Sequence, residues 1–124
     1  MNHILAIAVG GALGSVLRFL ASTWTYGRFG SDFPYGTLAV NVLGSLLMGL
    51  LYTLLVERSA LDPIWRAGLV VGVLGGFTTF SAFSMETVNL IAGGELPKAL
   101  VNILASVCLC LTATWIGVVS GRQL

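Results

Sequence analysis

Few side chains in this sequence are able to do chemistry, and those few point to handling ions rather than making bonds. The only histidine is His3, no two carboxylates are spaced for general acid–base work, and no Gly-Lys loop is present to cradle a phosphate. Cys108 and Cys110 lie two apart in an apolar stretch, where a helix turns them to nearly opposite faces. They read as small packing residues rather than a redox or metal pair. What remains is the run 75–84, Gly-Gly-Phe-Thr-Thr-Phe-Ser-Ala-Phe-Ser. Adjacent glycines meet β-branched and hydroxylated residues there, so helical hydrogen bonding is at its weakest. A break would free carbonyls suited to a cation, and the start of the resumed helix would offer amide hydrogens suited to an anion. The other reading is a continuous helix whose Ser and Thr bond back to their own carbonyls.

A helix that resumes by Phe80 brings Phe80, Phe83 and Thr87 onto one face. An aromatic ring is positive at its edge, so two Phe edges could line an anion path without binding the ion too tightly to release it. Two such rings serve equally well as core or lipid contacts. Asn41 is an amide in an otherwise apolar run and needs a partner, either a neighbouring helix or a passing anion. Glu86 reaches an interface or sits in an aqueous vestibule, and Arg18 snorkels or pairs inside the protein. Asn102, Ser106, Cys110 and Thr114 follow four-residue spacing, a weakly polar stripe facing a neighbour or a pore.

The elements that must position these residues follow from composition. Of 124 residues, 56% are hydrophobic and 9% charged, against about a quarter charged in a soluble domain. Eleven charged side chains cannot make a polar shell, so the solvent is a lipid bilayer. The net charge of +1, with no basic cluster, excludes a nucleic-acid partner. A bilayer core of about 30 Å needs roughly 20 apolar residues per helix. Four runs qualify: 3–22 with Arg18, 38–56 with Asn41, 67–92 with Glu86, and 99–121. The first lacks the charge order of a cleaved signal and reads as a retained membrane helix. Asp62 before Pro63 opens the third, and Gly93-Gly94 followed by Pro97 separates it from the fourth. The fold class is therefore all-α and polytopic, one transmembrane domain over 1–124, with the third helix broken near mid-membrane.

Small residues at four-residue spacing let helix backbones approach closely in lipid. Gly10 and Gly14 form one such pair, Ser45 and Gly49 another, and Gly68, Gly72 and Gly76 a stripe, all read as packing. Basic residues near the spans, which normally set orientation, divide evenly. Arg58, Arg66 and Arg122 fall on one side, and Arg28, Lys98 and a snorkelling Arg18 on the other. The balance points to insertion in both orientations and an antiparallel homodimer; the other reading is that so few charges balance by chance.

With these residues assembled, the chain resembles the small bacterial Fluc (CrcB) fluoride channels over essentially its whole length. The resemblance is carried by Gly10-Gly11-Ala12-Leu13-Gly14 with Arg18, by 36–41 (Gly-Thr-Leu-Ala-Val-Asn), and by 75–83 with Glu86. It implies a dual-topology homodimer with two fluoride pores, in the bacterial inner membrane, passing fluoride down its gradient and relieving its toxicity. By position Phe80 and Phe83 look like the pore-lining aromatic pair and Asn41 like the pore amide. Backbone carbonyls, those of Gly75 and Thr78, are similar to the family's shared central sodium site. Thr79, Ser81, Ser84 and Glu86 would border the path, as would Asn102 and Ser106; Arg18, Gly10, Gly14, Gly72 and Gly76 would be structural. Ala82 and Asn102 depart from the family pattern, where Thr and Tyr are frequent. A proton-coupled drug exporter of the small dual-topology type is the main rival, but it needs a carboxylate on helix one, which has none. A structural subunit without transport would leave the 75–84 run unexplained.

Overall fold

Uncharged runs of this length leave the backbone one way to satisfy itself in lipid, which is helix. The computed structural model describes residues 2–58 and 62–124, and every regular element among them is helical. Four helices are long and apolar enough to cross a membrane: α1 (Asn2–Phe29), α2 (Tyr35–Glu57), α3 (Pro63–Ala92) and α4 (Leu96–Gln123). They overrun the apolar stretches read from the sequence. The 28 residues of α1 span about 42 Å, beyond the hydrocarbon core. The extra turns are polar-tolerant ends that can stand among headgroups.

The helix ends obey local chemistry. Gly30 follows α1 at φ 85°, its amide donating to the Tyr26 carbonyl at 2.8 Å. Asp62 caps α3 by accepting from the Ile64 amide at 3.0 Å, with Pro63 in the first turn. At the far end of α3, Gly94 takes φ 78° and the Glu95 amide reaches back to the Leu90 carbonyl at 2.8 Å. That left-handed position is one a side chain would strain.

Two close pairings build the frame. Along α1, Gly10 and Gly14 lie on the backbone of α3, and Gly76 of α3 lies on Gly11. A Cβ on Gly14 would collide with the Val73 carbonyl, and one on Gly10 with the Gly68 carbonyl. The second pairing joins α2 and α4, where Gly49 meets the Thr114 carbonyl and Gly117 meets that of Leu46. Main-chain contact of this kind is how helices gain dispersion energy where lipid is as apolar as they are. Within α3 the stretch Ala67–Leu74 is wound as π-helix, as are the last residues of α2, Thr53–Glu57.

Charged residues gather at opposite ends. At one, the Lys98 ammonium donates to the Asp32 carbonyl at 3.3 Å and approaches Glu95 at 3.9 Å. At the other, Arg122 pairs with Glu57 at 3.5 Å and Arg58 donates to the Gly121 carbonyl at 2.8 Å. Arg18 joins neither set: half-buried, it lines a partly open cavity.

Candidate ion pathway

The interruption of α3 organises the site. Helix runs through the pair Gly75-Gly76 to Phe77 and starts again at Phe80. The residues between are threonines in extended conformation, Thr78 at φ −88°, ψ 158° and Thr79 at φ −151°, ψ 119°. Two replacement bonds hold them there. The Thr79 amide, which in an unbroken helix would donate to the Gly75 carbonyl, donates to Asn41 Oδ1 at 2.8 Å. The Ala82 amide, which would serve the Thr78 carbonyl, donates to Thr79 Oγ1 at 3.1 Å, making Thr79 the N-cap of the resumed helix. The carbonyls of Gly75 and Thr78 thereby lose their helical donors. Both are hard oxygen donors, the type that binds small hard cations.

Asn41 does more than accept. Its Nδ2 donates to the Thr79 carbonyl at 2.9 Å, so one side chain of α2 pairs with both peptide groups of an extended residue in α3. The amide stands at the head of a groove of about 420 Å³ that also holds Thr78, Phe80, Phe83, Ser106 and Cys110. Phe80 is 77% exposed, and its ring centroid lies 5.3 Å from that of Phe83 at 47°. Both rings line the groove. Ser84 donates to the Phe80 carbonyl at 2.9 Å and Ser81 sits 3.3 Å from Thr79 Oγ1. Both bond locally, and neither lines the groove.

Glu86 faces elsewhere. A second cavity of about 260 Å³, between α1, α2 and the second segment of α3 (Phe80–Ala92), holds Arg18, Ser22, Tyr26, Thr37 and Glu86. Glu86 Oε1 accepts from Thr37 Oγ1 at 2.7 Å and from the Tyr26 hydroxyl at 3.2 Å. Its Oε2 and Arg18 Nε are buried without a hydrogen-bond partner. Thr79 borders both spaces.

Asn102 is 1% exposed and lies behind the groove rather than on it. It donates to Thr87 Oγ1 at 2.9 Å and accepts from Ser106 Oγ at 3.3 Å. The site thus gathers Asn41, Gly75, Thr78, Thr79, Phe80, Phe83 and Ser106 around one break. Glu86 and Arg18 occupy a separate cavity, and Gly10, Gly14, Gly72 and Gly76 the α1–α3 contact. Thr87, which spacing sets on the face of Phe80 and Phe83, is buried against Asn102 and does not line the groove; Tyr26 and Thr37 escape a reading by spacing. The available signal is indirect: a carboxylate and an amide inside apolar helices require donors and acceptors from other helices.

Comparison with known proteins agrees over the whole chain. The family model described as CrcB-like protein, Camphor Resistance (CrcB) matches residues 5–118. A protein of Geobacter sulfurreducens named fluoride-specific ion channel FluC is 50% identical over all of both chains. One of Citrifermentans bemidjiense with the same name is 48% identical, again over all of both. A third so named, from Methylococcus capsulatus, is 51% identical over 98% of this chain, which spans 53% of that protein.

Proposed function

This chain belongs to the CrcB family, and from that membership we propose that it is a fluoride-selective channel working as an antiparallel homodimer. The observation that carries the reading is the groove at the α3 break, where the Asn41 amide and the rings of Phe80 and Phe83 line one space beside backbone freed from helix. Fluoride is small and strongly hydrated. A route for it must replace water with donors and positive ring edges while staying too narrow for larger halides. Asn41 has one amide hydrogen beyond its bond to Thr79, and Phe80 and Phe83 supply the edges. Conduction is passive, down the gradient, out of the cytoplasm and across the bacterial inner membrane. The activity is conduction and not catalysis.

Two observations support the homodimer. Asn41, Thr78, Ser106 and Thr114, each hydrogen-bonded within its own chain, line a groove that is open in one chain, and polar groups inside membrane helices normally face protein rather than lipid. A second copy covers them. Basic residues at the two ends are balanced, Arg58, Arg66 and Arg122 against Arg28 and Lys98 with Arg18 between, which suits a chain inserted both ways. The carbonyls of Gly75 and Thr78, two from each copy, would hold a sodium ion at the dimer centre. Such an ion, when bound, offsets the cost of bringing an anion near low-dielectric protein.

The test is flux from liposomes holding the full chain, followed with fluoride- and chloride-selective electrodes. Rapid fluoride release with silent chloride is expected; equal release of both, or of neither, defeats the proposal. Single cysteines placed in the 30–34 loop and at the chain end should each label from both faces. One-sided labelling rejects the antiparallel arrangement.

A further inference from the structure

The segment that carries the rings is thinly packed. Of the thirteen residues Phe80–Ala92 only Thr87 is buried. Apolar contact therefore does little to fix its angle, and its polar contacts to other helices do more. The one from α4 runs through Asn102.

A proton count sets the direction of that contact. The Thr87 hydroxyl has one proton, and it is donated to the Phe83 carbonyl at 2.7 Å. Toward Asn102 the same oxygen must accept, which turns the amide NH2 to Thr87 and leaves Oδ1 facing Ser106. Ser106 must then donate to Oδ1. The chain runs one way, from Ser106 through Asn102 and Thr87 to the Phe83 carbonyl. Its two ends, Ser106 and Phe83, line the groove; its middle does not.

We propose that Asn102 is a positioning residue for the ion route, tying Phe83 to α4 through Thr87 and holding the Ser106 proton away from the groove. Ser106 then shows lone pairs, not a donor, to an anion in the groove. The proposal rests on the groove being the fluoride route. It gives Asn102 a task distinct from lining that route, and Thr87 a task with no counterpart in the sequence reading.

The chain has three methionines, and one of them, Met48, lines the groove with both rings. Its methyl resonance in 13C-methyl-methionine-labelled full-length protein is a ring-current-sensitive probe of the groove that the rings line. Asn102→Leu and Thr87→Val should each move that resonance and lower fluoride efflux from liposomes by roughly threefold to tenfold. The double variant should be no worse than either single one, because both cut the same link. An unmoved Met48 methyl in the single variants, or losses that multiply in the double, overturns the proposal. Should Asn102→Leu fail to fold, the nearly isosteric Thr87→Val decides on the same two readouts. Should the unmutated protein pass no fluoride, the fluoride reading falls, and the Met48 resonance alone decides whether Asn102 sets the rings.

Discussion

Replacing Asn41 by leucine removes both bonds that keep Thr79 extended, and the structure sets the size of the effect. The bonds are 2.8 and 2.9 Å long and join α2 to α3. Hydrogen bonds between membrane helices average about 0.6 kcal/mol and reach about 1.7 kcal/mol, so the pair is worth about 1–3 kcal/mol. Leucine is close in volume, so a cavity adds little. Part of the loss is recovered, because the released Thr79 amide is free to return to the Gly75 carbonyl, its partner in an unbroken helix. Stability should therefore fall toward the lower end of that range, roughly fivefold in the unfolding equilibrium. Fluoride efflux should fall much further, because healing α3 moves Phe80 and Phe83. Unfolding is followed by tryptophan fluorescence in mixed micelles and efflux by electrode in liposomes. Asn89→Leu, at an exposed position of α3, is the matched control. Wild-type stability together with wild-type efflux in Asn41→Leu would refute the claim that this amide holds the break.

Other outcomes follow from single contacts. Gly14→Ala drives a Cβ into the Val73 carbonyl and should cost about 1–3 kcal/mol in the same unfolding assay, whereas Gly11→Ala, with nothing nearer than 4.0 Å, should be near neutral. Phe80→Ile should suppress fluoride efflux, because the ring lines the groove; retained efflux removes the ring from the route. Thr37→Val deletes the 2.7 Å bond to Glu86 and should lower stability by about 1–3 kcal/mol, with the Tyr26 hydroxyl still donating to Oε1. Exchanging sodium for a large organic cation should lower the unfolding midpoint if the Gly75 and Thr78 carbonyls hold the ion; an identical midpoint argues against sodium there.

The four spans are legible because hydropathy and bilayer thickness leave few alternatives. Their ends are not, since α1 continues to Phe29 on residues that lipid neither requires nor forbids. A weak point in α3 is visible in the run 75–84, but the residue pair is not. The glycines stay helical and the threonines extend, because Thr79 can cap the next helix with its own hydroxyl while a glycine cannot. That Asn41 needs a partner is readable from its apolar surroundings; that the partner is the peptide of Thr79 depends on helix packing 38 residues away. Glu86 and Tyr26 meet across 60 residues, a pairing that spacing cannot supply. Four-residue spacing groups Asn102 with Ser106, and both are buried, yet only Ser106 borders the groove, because a stripe does not state which of its edges a neighbouring helix covers. The π winding of Ala67–Leu74 leaves no mark in residue type.

The two segments of α3 are held by different kinds of contact, and this divides what mutation can do to the molecule. Where Gly10, Gly14, Gly72 and Gly76 bring main chain against main chain, there is no room to vary inward and almost unlimited room outward. Where Asn41, Thr37 and Asn102 suspend the ring-bearing segment, each exchange of an amide or hydroxyl nudges its angle while the frame stays intact. Descendants of such a chain could retune conduction in small heritable steps without ever rebuilding the scaffold that carries it.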